Sequence, residues 1–172
     1  VYLAALFGAL ILILSGVITM PDIFASMEWP ALYLVAGMYA ASLALLNTGL
    51  AGLIGQQVVT VVEPFGPLGL AAGVYLLSAA LTQVMGGQVT MLVTGPVAIS
   101  AAISLGVNPQ AIAVAAAIGC SASFLTPISH PVNIMVMGPG GYRFRDFARM
   151  GWVLLVSSFI TLMFGLKLFW GL

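Results

Sequence analysis

The sequence predicts an all-α, polytopic membrane protein that contains a helical hairpin and an interrupted helix. Its composition is the first indication, since 62% of the residues are hydrophobic, 5% are charged and the mean hydropathy is +1.21. Residues 64–142 contain no Asp, Glu, Lys or Arg, a pattern typical of a membrane-embedded chain. The formal net charge is zero, so a nucleic-acid partner has no electrostatic support.

The first part of the chain predicts two spanning helices and a surface helix. Residues 1–20 are apolar and long enough to cross a bilayer, residues 21–29 form a loop, and residues 30–46 form a second span. In residues 50–62 polar side chains recur at helical spacing opposite an apolar side, which predicts a helix lying along the membrane surface. The chain opens inside an apolar segment without a basic leader, so we expect a fragment of a longer protein.

The middle of the chain predicts a helical hairpin. Residues 63–69 contain two prolines and two glycines, which end the preceding helix and redirect the chain. Two apolar arms, 68–84 and 89–105, follow with only residues 85–88 between them, so the arms are antiparallel neighbours. Either each arm spans the membrane, or both form a re-entrant hairpin whose tip stops inside it. The polar residues around the turn are Thr82, Gln83, Gln88, Thr90 and Thr94.

An interruption divides the apolar region 107–138. We predict a helix over 110–125 and another over 132–137, separated by a segment in which two prolines flank a serine and the only histidine of the chain. A helix broken at membrane depth leaves backbone N–H and C=O groups unpaired, which is tolerated only where they are buried in protein or line a polar cavity. We therefore expect the substrate to bind at residues 126–133.

His130 lies at the centre of this interruption and has three interpretations. It donates a hydrogen bond to an anion, it titrates and couples protons, or it is a neutral histidine bonded to a freed carbonyl group. Ser129 and Asn133 are either ligands or caps of the loose helix ends. The half-helix that opens near Pro131 favours an anion at its N-terminal end, and the carbonyl-rich backbone nearby suits a sodium ion.

The only basic cluster follows the interrupted helix. Arg143, Arg145 and Arg149 stand among aromatic residues next to the predicted loop 139–148 and the final span 149–170. By the positive-inside rule this loop is cytoplasmic and the C-terminus lies outside. The alternative role of the arginines is to bind anionic lipid headgroups or phosphate.

Two other classes of protein are alternatives to a carrier. An intramembrane hydrolase needs a nucleophile with a base, a pair of aspartates or a metal site, and the single histidine has no acidic partner in the charge-free interval. The sequence therefore predicts that the chain is not an enzyme and holds no metal. A channel or a structural membrane subunit has the same hydropathy, and only saturable uptake driven by an ion gradient separates it from a carrier.

Residues 123–133 and the Gly-Gly-Tyr-Arg-Phe run at 140–144 resemble the end of the divalent anion:sodium symporter family. These citrate-transporter-like permeases carry dicarboxylates, citrate and sulfate. The resemblance covers essentially the whole chain as the second, C-terminal, of two inverted repeats, with the first repeat absent. It implies sodium-coupled secondary active transport of a small anion by a homodimeric elevator in the inner or plasma membrane, of which this chain is half. It implies no cofactor beyond a coupling ion.

The resemblance also implies how the repeat is divided. A scaffold with an interfacial arm helix occupies residues 1–63, and a transport unit occupies residues 64–172. The transport unit consists of a re-entrant hairpin (64–105), an interrupted helix (107–138), a cytoplasmic loop (139–148) and a last helix (149–170).

The candidate site residues come from matching the family's motifs. The hairpin tip of the family carries Ser-Asn-Thr where this chain has Gly86, Gly87 and Gln88, and its Gly-Thr-Pro substrate contact falls on Ser129, His130 and Pro131. A histidine at a threonine position makes a proton-coupled carrier the alternative to sodium coupling. The substrate contacts implied are Gly86, Gly87, Gln88, Ser129, His130, Pro131 and Asn133. The sodium ligands implied are Thr82, Met85, Gly87, Ile128 and Ser129.

Overall fold

The described part of the protein is helical and contains no β-strand, which confirms the predicted all-α class. The computed structural model describes residues 2–27, 29, 32–33, 36–37, 40, 43–44 and 47–172. The α-helices are α1 (Tyr2–Leu14), α2 (Met20–Ser26), α3 (Leu50–Val62), α4 (Gly66–Met85), α5 (Gly87–Ser104), α6 (Pro109–Ser121), α7 (Pro131–Met137) and α8 (Phe144–Trp170). Two 3₁₀ turns, Glu63–Phe65 and Pro127–Ser129, precede α4 and α7.

The first helix is shorter than the predicted span 1–20. It ends at Leu14, because Gly16 adopts a left-handed backbone (φ +72°) and a new helix, α2, begins at Met20. The Asp22 carboxylate accepts hydrogen bonds from the backbone N–H and the hydroxyl of Thr19, which caps α2 and lowers the pKa of that carboxyl. The second predicted span, 30–46, lies mostly outside the described residues, and those described within it are helical.

Helix α3 joins the first part of the chain to the rest. It contacts α4 and α5 through its C-terminal half, where Val59 and Val62 pack against the core. The side chains of Leu53 and Val61, on the predicted apolar side, are exposed. This outward apolar face is free to meet lipid, as a helix at the membrane surface requires.

Helices α4, α5 and α6 form the core of the described structure. The residues buried between them are mostly alanines, which let helix backbones approach closely. One close approach is at Gly119, where an added Cβ would lie 2.6 Å from the carbonyl oxygen of Tyr75. The Tyr75 hydroxyl lies 2.6 Å from Ser158 Oγ and donates to the carbonyl of Leu155 at 3.1 Å, which attaches α8 to this core.

By length and composition, three helices among the described residues are long and apolar enough to cross a membrane. They are α4, α5 and α8. The hairpin turn between α4 and α5 is tighter than predicted, since Gly86 is the only residue between the two helices. The predicted re-entrant geometry of this hairpin stays a prediction.

The interrupted helix and the last helix are present, but one predicted boundary of each was wrong. Helix α6 ends at Ser121 instead of residue 125, because serine and threonine hydroxyls and the proline at 127 favour non-helical backbone beyond it. The last helix begins at Phe144 instead of residue 149, because the Asp146 carboxylate accepts the backbone N–H of Arg143 at 2.7 Å and starts the helix there. Part of the predicted loop 139–148 is therefore helical.

Candidate functional site

The candidate site lies where the hairpin tip meets the interruption between α6 and α7. The interruption covers residues 122–130, and its 3₁₀ turn contacts α4 directly. Several backbone groups there have lost their helical partners and require others, because an unpaired buried peptide group is costly. Side chains from α4, from the turn and from α7 supply those partners.

Gln83, one turn before the tip of the hairpin, makes most of these bonds. Its amide Nε2 donates to the carbonyls of Ala79 and Ala122, each at 2.8 Å, and its Oε1 accepts the backbone N–H of Leu125 at 3.2 Å. The Thr126 hydroxyl in turn donates to the Gln83 carbonyl at 3.3 Å. One side chain thus fixes the first half of the interruption, at Ala122 and Leu125, to α4.

Asn133 and Ser129 hold the other side of the interruption. Asn133 Nδ2 donates to the carbonyl of Ser123 at 2.9 Å and to that of Thr126 at 3.3 Å. The buried Ser129 hydroxyl donates to the same Thr126 carbonyl at 2.7 Å. Because α7 has its main contact with the 3₁₀ turn before it, these bonds are what anchor the short helix.

The tip of the hairpin requires glycine at two successive positions for different reasons. Gly86 has φ +74° and ψ 154°, a backbone region that is essentially restricted to glycine. A Cβ on Gly86 would lie 3.8 Å from the carbonyl oxygen of Ser129, so the tip lies close to the interruption. Gly87 faces a different partner, because its Cβ would lie 2.2 Å from the carbonyl oxygen of Cys120 at the end of α6.

Two predicted substrate ligands are exposed beside this contact. The Gln88 side chain is exposed, and no hydrogen bond to another described residue engages it. His130 is exposed and caps α7, with its Nδ1 accepting the backbone N–H of Val132 at 3.2 Å. Nδ1 is therefore an acceptor in this arrangement, and the three interpretations of His130 stay predictions. Pro131 is the exposed first residue of α7.

The residues predicted to hold sodium have different surroundings. Ser129 and the half-buried Ile128 belong to the 3₁₀ turn, and the carbonyl of Ser129 faces the tip. Thr82 is fully buried and its hydroxyl donates to the Cys120 carbonyl at 3.3 Å, next to Gly87. Met85 is buried in a small cluster with α5. No group of three His, Cys, Asp or Glu among the described residues is placed to hold a metal ion.

The structure thus brings Gly86 and Ser129 together and places Gly87 against α6. Sequence reasoning noted Gln83 among the polar residues near the turn but did not include it in the site. Its carbonyl partner at Ala122 is 39 positions away in sequence, so no local pattern indicates it. The one signal was an amide side chain in a long interval without charge.

Comparison with known proteins places these elements in a family. A family model described as "Citrate transporter" matches residues 1–170. The chain is 34% identical over 128 residues to the uncharacterised transporter YfbS of Escherichia coli K12, an alignment covering 74% of this chain and 21% of YfbS. It is 27% identical over 162 residues to sodium/sulfate cotransporter 1 of Chlamydomonas reinhardtii, covering 91% of this chain and 18% of that protein.

A dicarboxylate transporter matches as well. The sodium-dependent dicarboxylate transporter SdcS of Staphylococcus saprophyticus is 24% identical over 143 residues, covering 83% of this chain and 27% of SdcS. The chain therefore spans about a fifth to a quarter of the length of these three relatives. They are transporters and not enzymes, and they include the sodium-dependent anion transporters that the sequence motifs resemble. The chain belongs to the citrate transporter family, and this family together with the apolar helices indicates a membrane protein.

Proposed function

We propose that this chain forms the second repeat of a secondary active transporter for a small anion of the divalent class, such as a dicarboxylate, citrate or sulfate, coupled to sodium. The observation that supports this most directly is the proximity of the Gly86 tip to the Ser129 carbonyl. It brings the start of one helix and the freed backbone of another to the same place. Such a junction of discontinuous helices is how many carriers bind a substrate and its coupling ion.

The hairpin tip has suitable donors for an anion. The first N–H groups of α5 have no acceptor within the helix, since the first intrahelical bond runs from Thr90 N–H to the Gly86 carbonyl. Gly87 leaves these N–H groups unshielded by a side chain, and the exposed Gln88 amide adds a further donor. We assign the anion to this tip, with His130, Pro131 and Asn133 of the interruption on its other side.

Oxygen atoms near the tip suit a sodium ion. Backbone carbonyls and hydroxyls are the ligands that small hard cations prefer, and the Ser129 carbonyl and the Thr82 hydroxyl are of this kind. We propose that Thr82, Met85, Gly87, Ile128 and Ser129 surround the ion. Because Gly87 and Ser129 then belong to both sites, binding of sodium organises the anion site, which is a physical basis for coupling.

The assembly follows from the same proposal. Residues 64–172 move as the transport unit of an elevator, residues 1–63 form its scaffold, and two copies of the complete protein form a dimer. The first repeat lies in the part of the transporter beyond this segment. The protein resides in the inner or plasma membrane with loop 139–148 in the cytoplasm and the C-terminus of this segment outside.

Uptake by the full-length transporter in liposomes tests the function. We expect saturable uptake of labelled sulfate or succinate when an inward sodium gradient is imposed, and little uptake with a proton gradient alone. Gln88→Ala is expected to raise the substrate concentration at half-saturation about tenfold, which corresponds to a loss of ~1.4 kcal/mol of binding free energy. The thermal unfolding midpoint should not fall.

Asn133→Ala is the matched comparison for Gln88→Ala. It removes the bonds to Ser123 and Thr126, so we expect it to lower both affinity and the unfolding midpoint. Uptake that does not saturate would indicate a channel or structural subunit instead of a carrier. Normal affinity in Gln88→Ala would move the anion away from the hairpin tip.

Proton coupling is the second candidate, favoured by the exposed His130. Protonation of its Nδ1 would replace the acceptor of the Val132 N–H with a donor and remove the cap of α7. If protons couple to transport here, His130→Ala abolishes the response of uptake to a pH gradient. If sodium is the coupling ion, His130→Ala lowers the affinity for the anion but leaves the sodium dependence and the pH profile of uptake unchanged. His130→Asn then restores the affinity, because asparagine also caps helices.

A further inference from the structure

One exposed face of α8 combines positive charge with apolar surface. Arg145 and Arg149 are four residues apart and therefore lie on the same side of the helix. Trp152, Val156 and Ile160 continue that side towards the other end of α8. Both arginines are exposed, as are Trp152 (61%), Val156 (48%) and Ile160 (61%). We call these five residues the α8 face.

No acidic side chain that the structure describes neutralises the two arginines. The nearest in sequence, Asp146, uses its carboxylate to accept the backbone N–H of Arg143 and so start the helix. A second copy of the segment offers few partners, since the chain contains four acidic residues and none between 64 and 142. The pair of arginines thus requires an anion from another source, or water.

The chemistry of the α8 face matches one class of ligand. Two guanidinium groups at the end of an apolar stripe complement a molecule with an anionic head and a long apolar tail. Free phosphate would use only the arginines, and a neutral lipid would use only the stripe. We propose that the α8 face binds an anionic phospholipid, with its phosphate on Arg145 and Arg149 and an acyl chain along Trp152, Val156 and Ile160.

Trp152 provides a direct probe of this binding. The full-length transporter is placed in nanodiscs that contain increasing mole fractions of either brominated phosphatidylglycerol or brominated phosphatidylcholine. The fluorescence of the Trp152→Phe variant is subtracted at each mole fraction. We expect phosphatidylglycerol to quench the Trp152 signal at a lower mole fraction than phosphatidylcholine. In Arg145→Gln and Arg149→Gln the required mole fraction should rise about fivefold for each arginine removed.

Arg143→Gln is the matched control, since it removes the same charge from the residue preceding α8, off the α8 face. We expect it to change the quenching much less than either variant on the face. Equal quenching by the two lipids would overturn the proposal, as would equal effects of the three arginine variants. Trp152 that is reached by neither lipid would mean that another polypeptide covers the face, and competition by inorganic phosphate alone would indicate a free anion site.

Discussion

Replacing Gly87 by alanine should disrupt both the stability and the substrate binding of the full-length transporter. The added Cβ would lie 2.2 Å from the carbonyl oxygen of Cys120 and 3.2 Å from its carbon. Both are backbone atoms, so relief requires α5 to move away from α6 as a unit. Overpacking of this kind costs about 1–3 kcal/mol, and here it also displaces the tip from the interruption. We expect a lower thermal unfolding midpoint and the loss of sodium-dependent anion binding.

Gly165→Ala is the control for this substitution. Gly165 lies in the C-terminal part of α8 with nothing within 4 Å of an added Cβ. Because alanine is the better helix former by about 1 kcal/mol, the unfolding midpoint should stay the same or rise slightly. An unfolding midpoint and anion affinity in Gly87→Ala equal to those of the wild type would contradict the close approach of α5 to the end of α6.

The hydropathy of the sequence was sufficient to predict the long helices of the second part of the chain. The predicted hairpin 64–105 contains α4 and α5 almost residue for residue, since apolar length and the glycine turn define both ends. Helix boundaries that depend on one hydrogen bond or on the backbone conformation of one residue were missed. The start of α8 depends on the carboxylate of Asp146, and the end of α1 depends on the left-handed backbone at Gly16. Hydropathy carries no information about either.

The candidate site was predicted in outline for a similar reason. Two prolines around Ser129 and His130 indicate broken helix, and a broken helix in an apolar chain requires polar partners. The identity of those partners is a property of the folded chain. Gln83 reaches Ala122 and Leu125 only because α4 and α6 pack closely, and that packing depends on small residues such as Gly119. Motif matching therefore indicated the interruption as a candidate site but omitted Gln83, which bonds it to α4.

The contacts also explain why the tip and the interruption should behave as one mechanical unit. Gln83 fixes α4 to Ala122 and Leu125 in the first half of the interruption, and Gly87 fits α5 against the end of α6. If residues 64–172 move during transport, these connections carry the tip and the interruption together. A change that loosens them would allow the two halves of the anion site to separate without altering any proposed ligand.

Gln83→Leu makes this change while nearly preserving side-chain volume. It leaves the carbonyl of Ala122 and the N–H of Leu125 without their partners, and each buried unsatisfied group costs about 1–3 kcal/mol. The carbonyl of Ala79 keeps its helical bond and contributes little. We therefore expect a loss of about 2–5 kcal/mol in stability, seen as a lower thermal unfolding midpoint in detergent, and uptake reduced by more than tenfold.

Gln110→Leu provides the control for Gln83→Leu. Gln110 lies in the first turn of α6 and its side chain is exposed. No described residue forms a hydrogen bond with its side-chain amide group. The same chemical change there should leave both stability and uptake close to wild type. Gln83→Glu distinguishes the bond that Gln83 accepts from those it donates. It keeps an acceptor for the Leu125 N–H but removes both N–H donors of the amide. If Gln83→Leu unfolds and transports like Gln110→Leu, the bond from α4 to the interruption has no part in holding the site together.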